Sequence, residues 1–198
     1  MNIHEEIVSN IRVLSKIFYS PPNKIFLDEL ENEVLDKWPD YVDPCNIISQ
    51  AMKKSIQTEG DEKVLLDFTS LFIGSRHIGS WRSAYTDKNK LLVGQNAHQF
   101  KAYCIKNDIH IDLTINEPNE YIGVFLYVLS EILDKARQNI SLQQLTILLE
   151  QHMNPWLKLF ITQIEDNANT EYFLGAATLL ENLIDYLENK ISNTKLLN

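Results

Sequence analysis

The sequence predicts an all-α protein, a single helical bundle of about nine helices. Apolar residues recur every three or four positions along most of the 198-residue chain, which is the period of an amphipathic helix. Prolines and glycines interrupt these runs at the intervals expected for short connections between helices. No pair of segments shows the alternating pattern of neighbouring strands, so we expect no sheet.

The first half of the chain is predicted to form four helices. The first ends at Pro21-Pro22, because proline cannot continue a helix. The second stops before Pro39, the third opens at Asp43-Pro44, the third and fourth meet at Gly60-Asp61, and the fourth ends at Gly74. Their inward faces are predicted from apolar spacing: Ile3, Ile7, Ile11, Leu14, Phe18; Phe26, Leu30, Leu35; Ile47, Ile48, Ala51, Met52, Ile56; Val64, Leu65, Phe68, Leu71 and Phe72.

Two segments in the middle of the chain interrupt the helical pattern. Gly74 to Gly94 is predicted to be a long loop that packs against the protein, because disordered loops are poor in aromatic residues. In 107–116, apolar and polar residues alternate, but no partner strand exists, so we interpret this segment as an extended connector. Residues 1–198 then form one domain, or two lobes with a boundary near 107–116. Such a connector is also a hinge for domain swapping, which leaves monomer and swapped dimer open.

The remaining helices begin at recognisable capping residues. Asn96 is predicted to cap the fifth, Glu117-Pro118 to open the sixth, Ser141 to cap the seventh and Asn154-Pro155 to start the eighth. The ninth is expected to fray after Ile191. The predicted inward residues are Ala97, Phe100, Tyr103, Cys104; Ile122, Phe125, Leu126, Leu129, Ile132, Leu133, Ala136; Leu145, Leu148, Leu149; Trp156, Leu159, Phe160, Ile164; Tyr172, Phe173, Ala176, Leu179, Leu180, Leu183 and Leu187.

The balance of charge restricts the classes of partner. The net charge is −9, from 27 acidic and 18 basic residues, which disfavours nucleic acid and favours cationic ligands such as basic peptides. The first residues carry two acids where a secretory signal would carry basic residues, and no apolar run is long enough to span a membrane. We therefore expect a cytoplasmic protein without membrane insertion.

No pattern for catalysis or metal binding occurs in the sequence. Phosphate-binding loops, zinc motifs and nucleophile elbows are absent, and the five histidines lack metal-ligand spacing. Cys45 and Cys104 are expected to be buried, reduced thiols. We expect no metal, no cofactor and no enzymatic activity; a hydrolase that uses Asp87, His98 and Glu120 is the weaker alternative.

Five segments, in order along the chain, resemble motifs of the TorD/DmsD family of redox-enzyme maturation chaperones. Phe18-Tyr19-Ser20-Pro21-Pro22 is similar to the family's aromatic-then-proline break, and residues 67–74 resemble D[FY]xxLFxG. Residues 81–87 resemble WxSxYxD, residues 117–123 resemble EPxDHIx, and residues 152–156 match HxxPW. Glu120-Tyr121 replaces the family's Asp-His pair, and Gly79-Ser80 replaces the prolines before the loop tryptophan.

The resemblance implies a cytoplasmic, all-helical chaperone for molybdenum-cofactor oxidoreductases. Its partner would be the twin-arginine signal peptide of an exported enzyme, and the client's mature domain is a second candidate; an adaptor for a cytosolic enzyme that is never exported is the alternative. Carboxylates suit guanidinium groups and aromatic rings suit cations and apolar side chains. The peptide-binding residues implied are Trp81, Ser83, Tyr85, Asp87, Glu117, Pro118, Glu120, Tyr121, His152 and Trp156.

Overall fold

The structure, a computed structural model, describes residues 5–74, 77–87, 94–111, 119–136 and 142–196. Within these ranges the regular elements are helices, so the all-α prediction is confirmed. The helices are α1 (Glu5–Tyr19), α2 (Lys24–Glu29), α3 (Ile47–Phe68), α4 (Ser83–Thr86), α5 (Gln95–Lys106), α6 (Ile122–Ala136), α7 (Leu142–Ile147), α8 (Asn154–Asn167) and α9 (Glu171–Leu196). None of the helices in the described ranges is long and apolar enough to cross a bilayer.

Short turns of other helical types extend several of these helices. After α2 come a π-type turn, Leu30–Val34, and a 3₁₀ turn, Leu35–Lys37. A 3₁₀ turn, Pro44–Asn46, precedes α3, and a π-type turn, Thr69–Ile73, follows it. The π-type turn Leu148–Met153 joins α7 directly to α8.

The chain divides into two compact units. The first unit consists of residues 1–19 and 79–160, and the second consists of residues 20–78 and 161–198. The predicted lobe boundary near 107–116 differs from this division, because the described residues on both sides of that segment belong to the first unit. Asp112 to Asn116 lie outside the described residues.

The core of the first unit forms where α1 packs along α6. The predicted apolar faces of both helices are buried: Ile7, Ile11, Leu14 and Phe18 on α1, and Ile122, Phe125, Leu126, Leu129, Ile132 and Leu133 on α6. Each such side chain contributes about 1.5–3 kcal/mol relative to exposure. Gly123 allows the close approach, because a Cβ there would lie only 2.6 Å from the Cβ of Tyr19.

Aromatic rings connect the helices of the first unit. Phe100 of α5 lies 4.1 Å from Phe125 of α6 between ring centroids, and Phe125 lies 5.5 Å from Trp156 of α8. Trp156 and Phe18 of α1 both contact Phe160, each at 5.7 Å. Four helices therefore share one aromatic core, which holds α5 and α8 in place around the loop that contains α4.

The second unit has its core between α3 and α9. Phe68 and Phe72 both contact the ring of Phe173, at 6.1 and 5.7 Å. The predicted break at Gly60 is confirmed as a kink inside α3, where Gly60 has φ 81° and ψ 163°. Only glycine adopts this conformation readily, so it changes the direction of the chain between the two predicted helices.

Asp67 fixes the start of α9 within the second unit. Its buried carboxylate accepts hydrogen bonds from the backbone N–H of Asn169, at 3.1 and 3.0 Å, and from the hydroxyl of Thr170 at 2.6 Å. Asn169 and Thr170 immediately precede α9, where helix N–H groups lack intrahelical partners. The first residue of the 67–74 motif is therefore a capping group for a distant helix.

Three residues predicted to face inward are exposed. Ile47 lies at the very start of α3, and Leu65 and Leu159 are on the outer faces of α3 and α8. On α8 the buried neighbour of Trp156 is Leu157, so the inward face is rotated from the predicted one. Periodicity locates an apolar stripe only to within about one residue, which explains these errors.

Several predicted helix ends also differ from the structure. Asn154 is helical, with φ −55° and ψ −33°, because the π-type turn before it changes the hydrogen-bond register and accommodates Pro155 without a break. α9 continues to Leu196, since buried Ile191 extends its inward stripe. α4 lies inside the predicted loop.

Of the two cysteines, Cys45 is exposed because it lies in a 3₁₀ turn, whereas Cys104 is buried as predicted. Ile3 and Ser141 are outside the described residues.

We predict that Asp67→Ala destabilises the protein by about 2–3 kcal/mol, because the part-buried N–H of Asn169 and the buried hydroxyl of Thr170 lose a charged acceptor. Unfolding in urea, followed by circular dichroism, measures this change. Asp166→Ala removes an exposed acid of the same unit and is the matched control. A loss for Asp67→Ala no larger than that of the control would show that the cap has no energetic role.

Candidate functional site

The loop before α5 pairs with the start of α6 inside the first unit. Trp81 and Tyr121 form an isolated antiparallel bridge. The N–H of Arg82 donates to the carbonyl oxygen of Glu120 at 3.1 Å, and the N–H of Ile122 donates to that of Ser80 at 2.8 Å. These bonds join residues of the 81–87 motif to residues of the 117–123 motif.

Eight of the ten predicted site residues are described, and they divide into two layers. Ser83, Glu120, His152 and Trp156 are buried, whereas Trp81, Tyr85, Asp87 and Tyr121 are half-buried. Glu117 and Pro118 lie outside the described residues. The residues that reach the surface are therefore mostly aromatic.

Glu120 is fully buried and bonds within the protein. Its Oε2 accepts a hydrogen bond from the hydroxyl of Ser83 at 3.0 Å, and its Oε1 has no hydrogen-bond partner among the described residues. Burial raises the pKa of this carboxyl group, against the opposing effects of the Ser83 hydroxyl and the Arg82 charge. The carboxylate holds the loop to the start of α6 and does not face a ligand in this conformation.

Arg82 is a buried cation that the sequence analysis did not select. Its Nη1 donates to Nδ1 of His152 at 3.1 Å, and its Nη2 donates to Oδ1 of Asn96 at 3.4 Å. Asn96 was predicted to cap α5, but its side chain instead bonds to Arg82 and to the hydroxyl of Thr86. Burial lowers the pKa of the Arg82 guanidinium, and the charge of Glu120 opposes that shift.

His152 accepts a hydrogen bond from Arg82, so its imidazole is neutral. Burial, together with the nearby charge of Arg82, lowers the pKa of His152 to about 4. The ring also packs against Phe100 and Tyr103 of α5, with centroids at 5.6 and 5.1 Å. His152 therefore holds the loop through its buried bond to Arg82, and it does not titrate near neutral pH.

Trp156 belongs to the core beneath the loop. It is fully buried, and its indole N–H donates to the carbonyl oxygen of His152 at 2.9 Å. Tyr85 stacks on it with 5.8 Å between ring centroids. The predicted role of Trp156 as a ring that faces the peptide does not agree with its burial, because a tryptophan with no exposed surface cannot contact a ligand.

Tyr19, Trp81 and Tyr121 are the rings of the site that lie nearer the solvent than this buried layer. We call these three residues the aromatic surface. Tyr121 is the central ring, 6.3 Å from Tyr19 and 6.5 Å from Trp81 between centroids. Tyr19 is exposed, and the other two rings are half-buried. Each of the three rings is thus at least partly accessible to solvent.

A cavity of about 290 Å³ adjoins the aromatic surface and shares Tyr19 with it. Its lining combines α1, the chain after α5 and the first turns of α6: Ser15, Tyr19, His110, Ile111, Gly123, Val124 and Tyr127. Gly123 lies where α1 and α6 approach most closely, and the cavity lies beside this contact. The lining is mainly apolar and aromatic. Its polar groups are the imidazole of His110 and the hydroxyl groups of Ser15, Tyr19 and Tyr127.

Metal binding has no support in the described ranges, where no group of three or more His, Cys, Asp and Glu side chains has suitable geometry. The hydrolase alternative required Asp87, His98 and Glu120. His98 is exposed on α5, whereas Glu120 is buried and bonded to Ser83. These three residues therefore do not form an open catalytic group.

The family model described as nitrate reductase delta subunit matches residues 31–162, which is more than half of the chain. The chain belongs to this family. The predicted resemblance to the TorD/DmsD redox-enzyme maturation chaperones is thereby confirmed. Members of the family are chaperones and not catalysts, which confirms the prediction that the protein is not an enzyme.

Two other proteins are similar to this chain. Chaperone protein YcdY of Escherichia coli (strain K12) is 24% identical over 179 residues, which cover 87% of this chain and 89% of that protein. The crystal structure of a proposed redox enzyme maturation protein from Archaeoglobus fulgidus superposes with a TM-score of 0.58 at 16% identity. That match covers 95% of this chain and 96% of the other, and it shows that the fold is shared.

Two residues of the site were missed because neither has a strong signal in the sequence. Arg82 occupies a position between two motif residues, and a single arginine usually indicates an exposed charge. Tyr19 was recognised only as the end of α1. Its place beside Tyr121 depends on how α1 packs along α6, which helical periodicity does not specify.

We predict that His152 makes the stability of the protein depend on pH. Because the folded-state pKa, about 4, is below the ordinary value of 6.5, protonation favours the unfolded chain, so stability is retained above pH 6.5 and falls toward pH 4. From about pH 7 to pH 5, the wild type should lose roughly 2 kcal/mol more than His152→Gln. Urea unfolding at a series of pH values measures the difference.

The matched control is His98→Gln, which replaces an exposed histidine of α5. It should keep the pH dependence of the wild type. Glu120, whose raised pKa acts in the opposite sense, is present in all three proteins and cancels from the comparison. Equal pH dependence of the wild type and His152→Gln would contradict a buried, neutral His152.

Proposed function

We propose that this chaperone binds the twin-arginine signal peptide of a molybdenum-cofactor oxidoreductase in the cytoplasm, before the enzyme is exported. The observation that carries the proposal is the aromatic surface of Tyr19, Trp81 and Tyr121 beside an open cavity. Such a peptide carries two guanidinium groups next to an apolar stretch. The aromatic surface suits the guanidinium groups, and the cavity suits the apolar stretch.

The aromatic surface fits the paired arginines. Guanidinium groups stack on tyrosine and tryptophan rings, and each such contact contributes about 0.5–2 kcal/mol. Asp87 is half-buried at the end of α4, on the loop that carries Trp81, and provides a carboxylate at this part of the unit. Cation–π contacts and one nearby acid thus take the role that was predicted for Glu120, which is buried.

The cavity fits apolar side chains of the stretch that follows the arginines. Its volume of about 290 Å³ is at the small end of ligand pockets. That volume suits one or two apolar side chains better than a large cofactor. Tyr19 belongs to both the cavity and the aromatic surface, so a single peptide can occupy both at once.

The family membership supports the general role, and the names of the relatives agree with it. The E. coli relative is named a chaperone, and the A. fulgidus protein is described as acting in redox enzyme maturation. Binding of the client's mature domain and the choice between monomer and swapped dimer stay predictions from the sequence. An adaptor for an enzyme that is not exported remains the second candidate.

We predict that Trp81→Ala and Tyr121→Ala each weaken binding of a synthetic twin-arginine peptide by about 5- to 30-fold, because each removes a ring worth roughly 1–2 kcal/mol to a bound guanidinium. The probe is a fluorescent peptide with two consecutive arginines followed by an apolar stretch, and the measurement is fluorescence anisotropy. A peptide with lysines in place of the arginines should bind more weakly to the wild type.

Tyr41→Ala is the matched control for these variants. Tyr41 is an exposed tyrosine of the second unit that stacks on Tyr186 at 4.3 Å, so its loss removes a similar ring pair away from the aromatic surface. Unchanged affinity in all ring variants would refute the proposed site. Binding of the mature enzyme without its leader, combined with no affinity for the peptide, would favour the adaptor.

A further inference from the structure

The line along which α1 and α6 meet begins at the aromatic surface; we call it the α1–α6 seam. Tyr19 is the last residue of α1, and its ring packs against that of Tyr121, which immediately precedes α6, with 6.3 Å between centroids. Nearer the middle of both helices, the hydroxyl of Ser15 donates to the carbonyl oxygen of Gly123 at 2.7 Å. Away from the rings, residue numbers therefore fall along α1 and rise along α6, so the two helices run antiparallel.

Two ion pairs mark the far part of the seam. Nη2 of Arg12 on α1 lies 3.1 Å from Oε1 of Glu131 and 3.1 Å from Oδ2 of Asp134, both on α6. The three side chains are partly exposed, so these pairs contribute little to stability. Because Glu131 follows Tyr127 by one helical turn, the ion pairs lie just beyond the residues that line the cavity.

The cavity lies between the rings and the ion pairs. Its lining includes Ser15 and Tyr19 on α1, and Gly123, Val124 and Tyr127 on α6. Residues four positions apart share one face of a helix, so Ser15 lies on the face of Tyr19, and Gly123 lies on the face of Tyr127. The order along the seam is therefore the aromatic surface, the cavity and the ion pairs.

The aromatic surface and the cavity differ in what they offer a guanidinium group. Among the described residues, the lining of the cavity contains no carboxylate, so an arginine there would leave water without an anionic partner. Glu131 and Asp134 lie beyond the cavity, but both are bonded to Arg12. The aromatic surface offers ring faces to a cation, and Asp87 lies on the loop that carries Trp81. The arginines of a peptide are therefore expected at the aromatic surface.

We propose that a twin-arginine peptide binds in one direction, with its arginines on the aromatic surface and the residues after them along the α1–α6 seam toward Tyr127. This inference rests on the function proposed above. Because the arginines precede the apolar stretch in such a peptide, its chain runs parallel to α6, from the start of that helix toward its end. The direction follows from the order of the aromatic surface and the cavity along the seam.

The seam also limits the length of the bound segment. Tyr121 and Glu131 are ten positions apart, and at about 1.5 Å per residue α6 advances roughly 15 Å between them. An extended peptide covers this length with about five residues, and a helical peptide covers it with about ten. The ion pairs of Arg12 then mark the point at which the peptide leaves the seam.

Thiol–disulfide exchange between peptide and protein tests the direction. Cys45→Ser removes the exposed cysteine and leaves Cys104, which is buried. In this background, Glu131→Cys places a thiol at the far end of the seam, and Asn119→Cys places one two residues before Tyr121.

The probes are peptides with two consecutive arginines followed by an apolar stretch. One probe has a cysteine before the arginines, and two others have it five or ten residues after the second arginine. The peptide cysteine carries a thionitrobenzoate group in a mixed disulfide. The protein thiolate displaces this group, and its release measures the rate of reaction.

We expect one of the probes with the trailing cysteine to react with Glu131→Cys at least tenfold faster than the probe with the leading cysteine. Asn119→Cys should show the opposite preference. An excess of unlabelled twin-arginine peptide should suppress both fast reactions. Lys101→Cys places a thiol at an exposed position of α5 outside the seam; it is the matched control and should react equally slowly with every probe.

Two results would overturn the direction. Faster reaction of the leading cysteine with Glu131→Cys would show that the chain runs the other way. Equal, slow rates for all probes, with the affinity intact, would show that the peptide does not follow the seam. In both cases the proposed function would stand if Trp81→Ala and Tyr121→Ala still weaken binding. Absence of peptide binding in the anisotropy measurement would instead refute the proposed function, and this inference with it.

Discussion

The candidate site depends on the burial of one positive charge, that of Arg82. A guanidinium stays charged in a protein, and its removal from water is costly unless its N–H groups have hydrogen-bond partners. His152 and Asn96 supply partners for Nη1 and Nη2 from the turn before α8 and from α5, whereas the buried Nε has no hydrogen-bond partner among the described residues. Because Arg82 lies between Trp81 and Ser83 in the chain, the two bonds that hold its side chain also help to position the ring on one side and the contact with Glu120 on the other.

In the candidate site, the buried polar residues hold the loop in place, and the residues that reach the surface are mostly aromatic. The sequence suggested an anionic recess in which Glu120 faces a peptide, but Glu120 is buried and connects the loop to the start of α6. The exposed part is a set of rings around Tyr121.

Helical periodicity predicted most of the core, because the stripe through Phe125 and Leu129 or through Phe173 and Leu180 must be buried wherever the helices pack. It did not predict which polar residues would be covered as well. Glu120 and Arg82 are buried because the loop folds over the start of α6, and a contact between distant segments has no local signal. The same limit explains Asn96, whose side chain has a stronger partner in Arg82 than in the end of its own helix.

The first unit is assembled from two separated parts of the chain, and this has a consequence for biosynthesis. Residues 1–19 leave the ribosome before the segment 20–78, but α6, which covers the apolar face of α1, is made only later. Until then the newly made helix exposes Ile11, Leu14 and Phe18. During synthesis, this chaperone therefore exposes the apolar face of its own first helix until α6 of the same chain has been made.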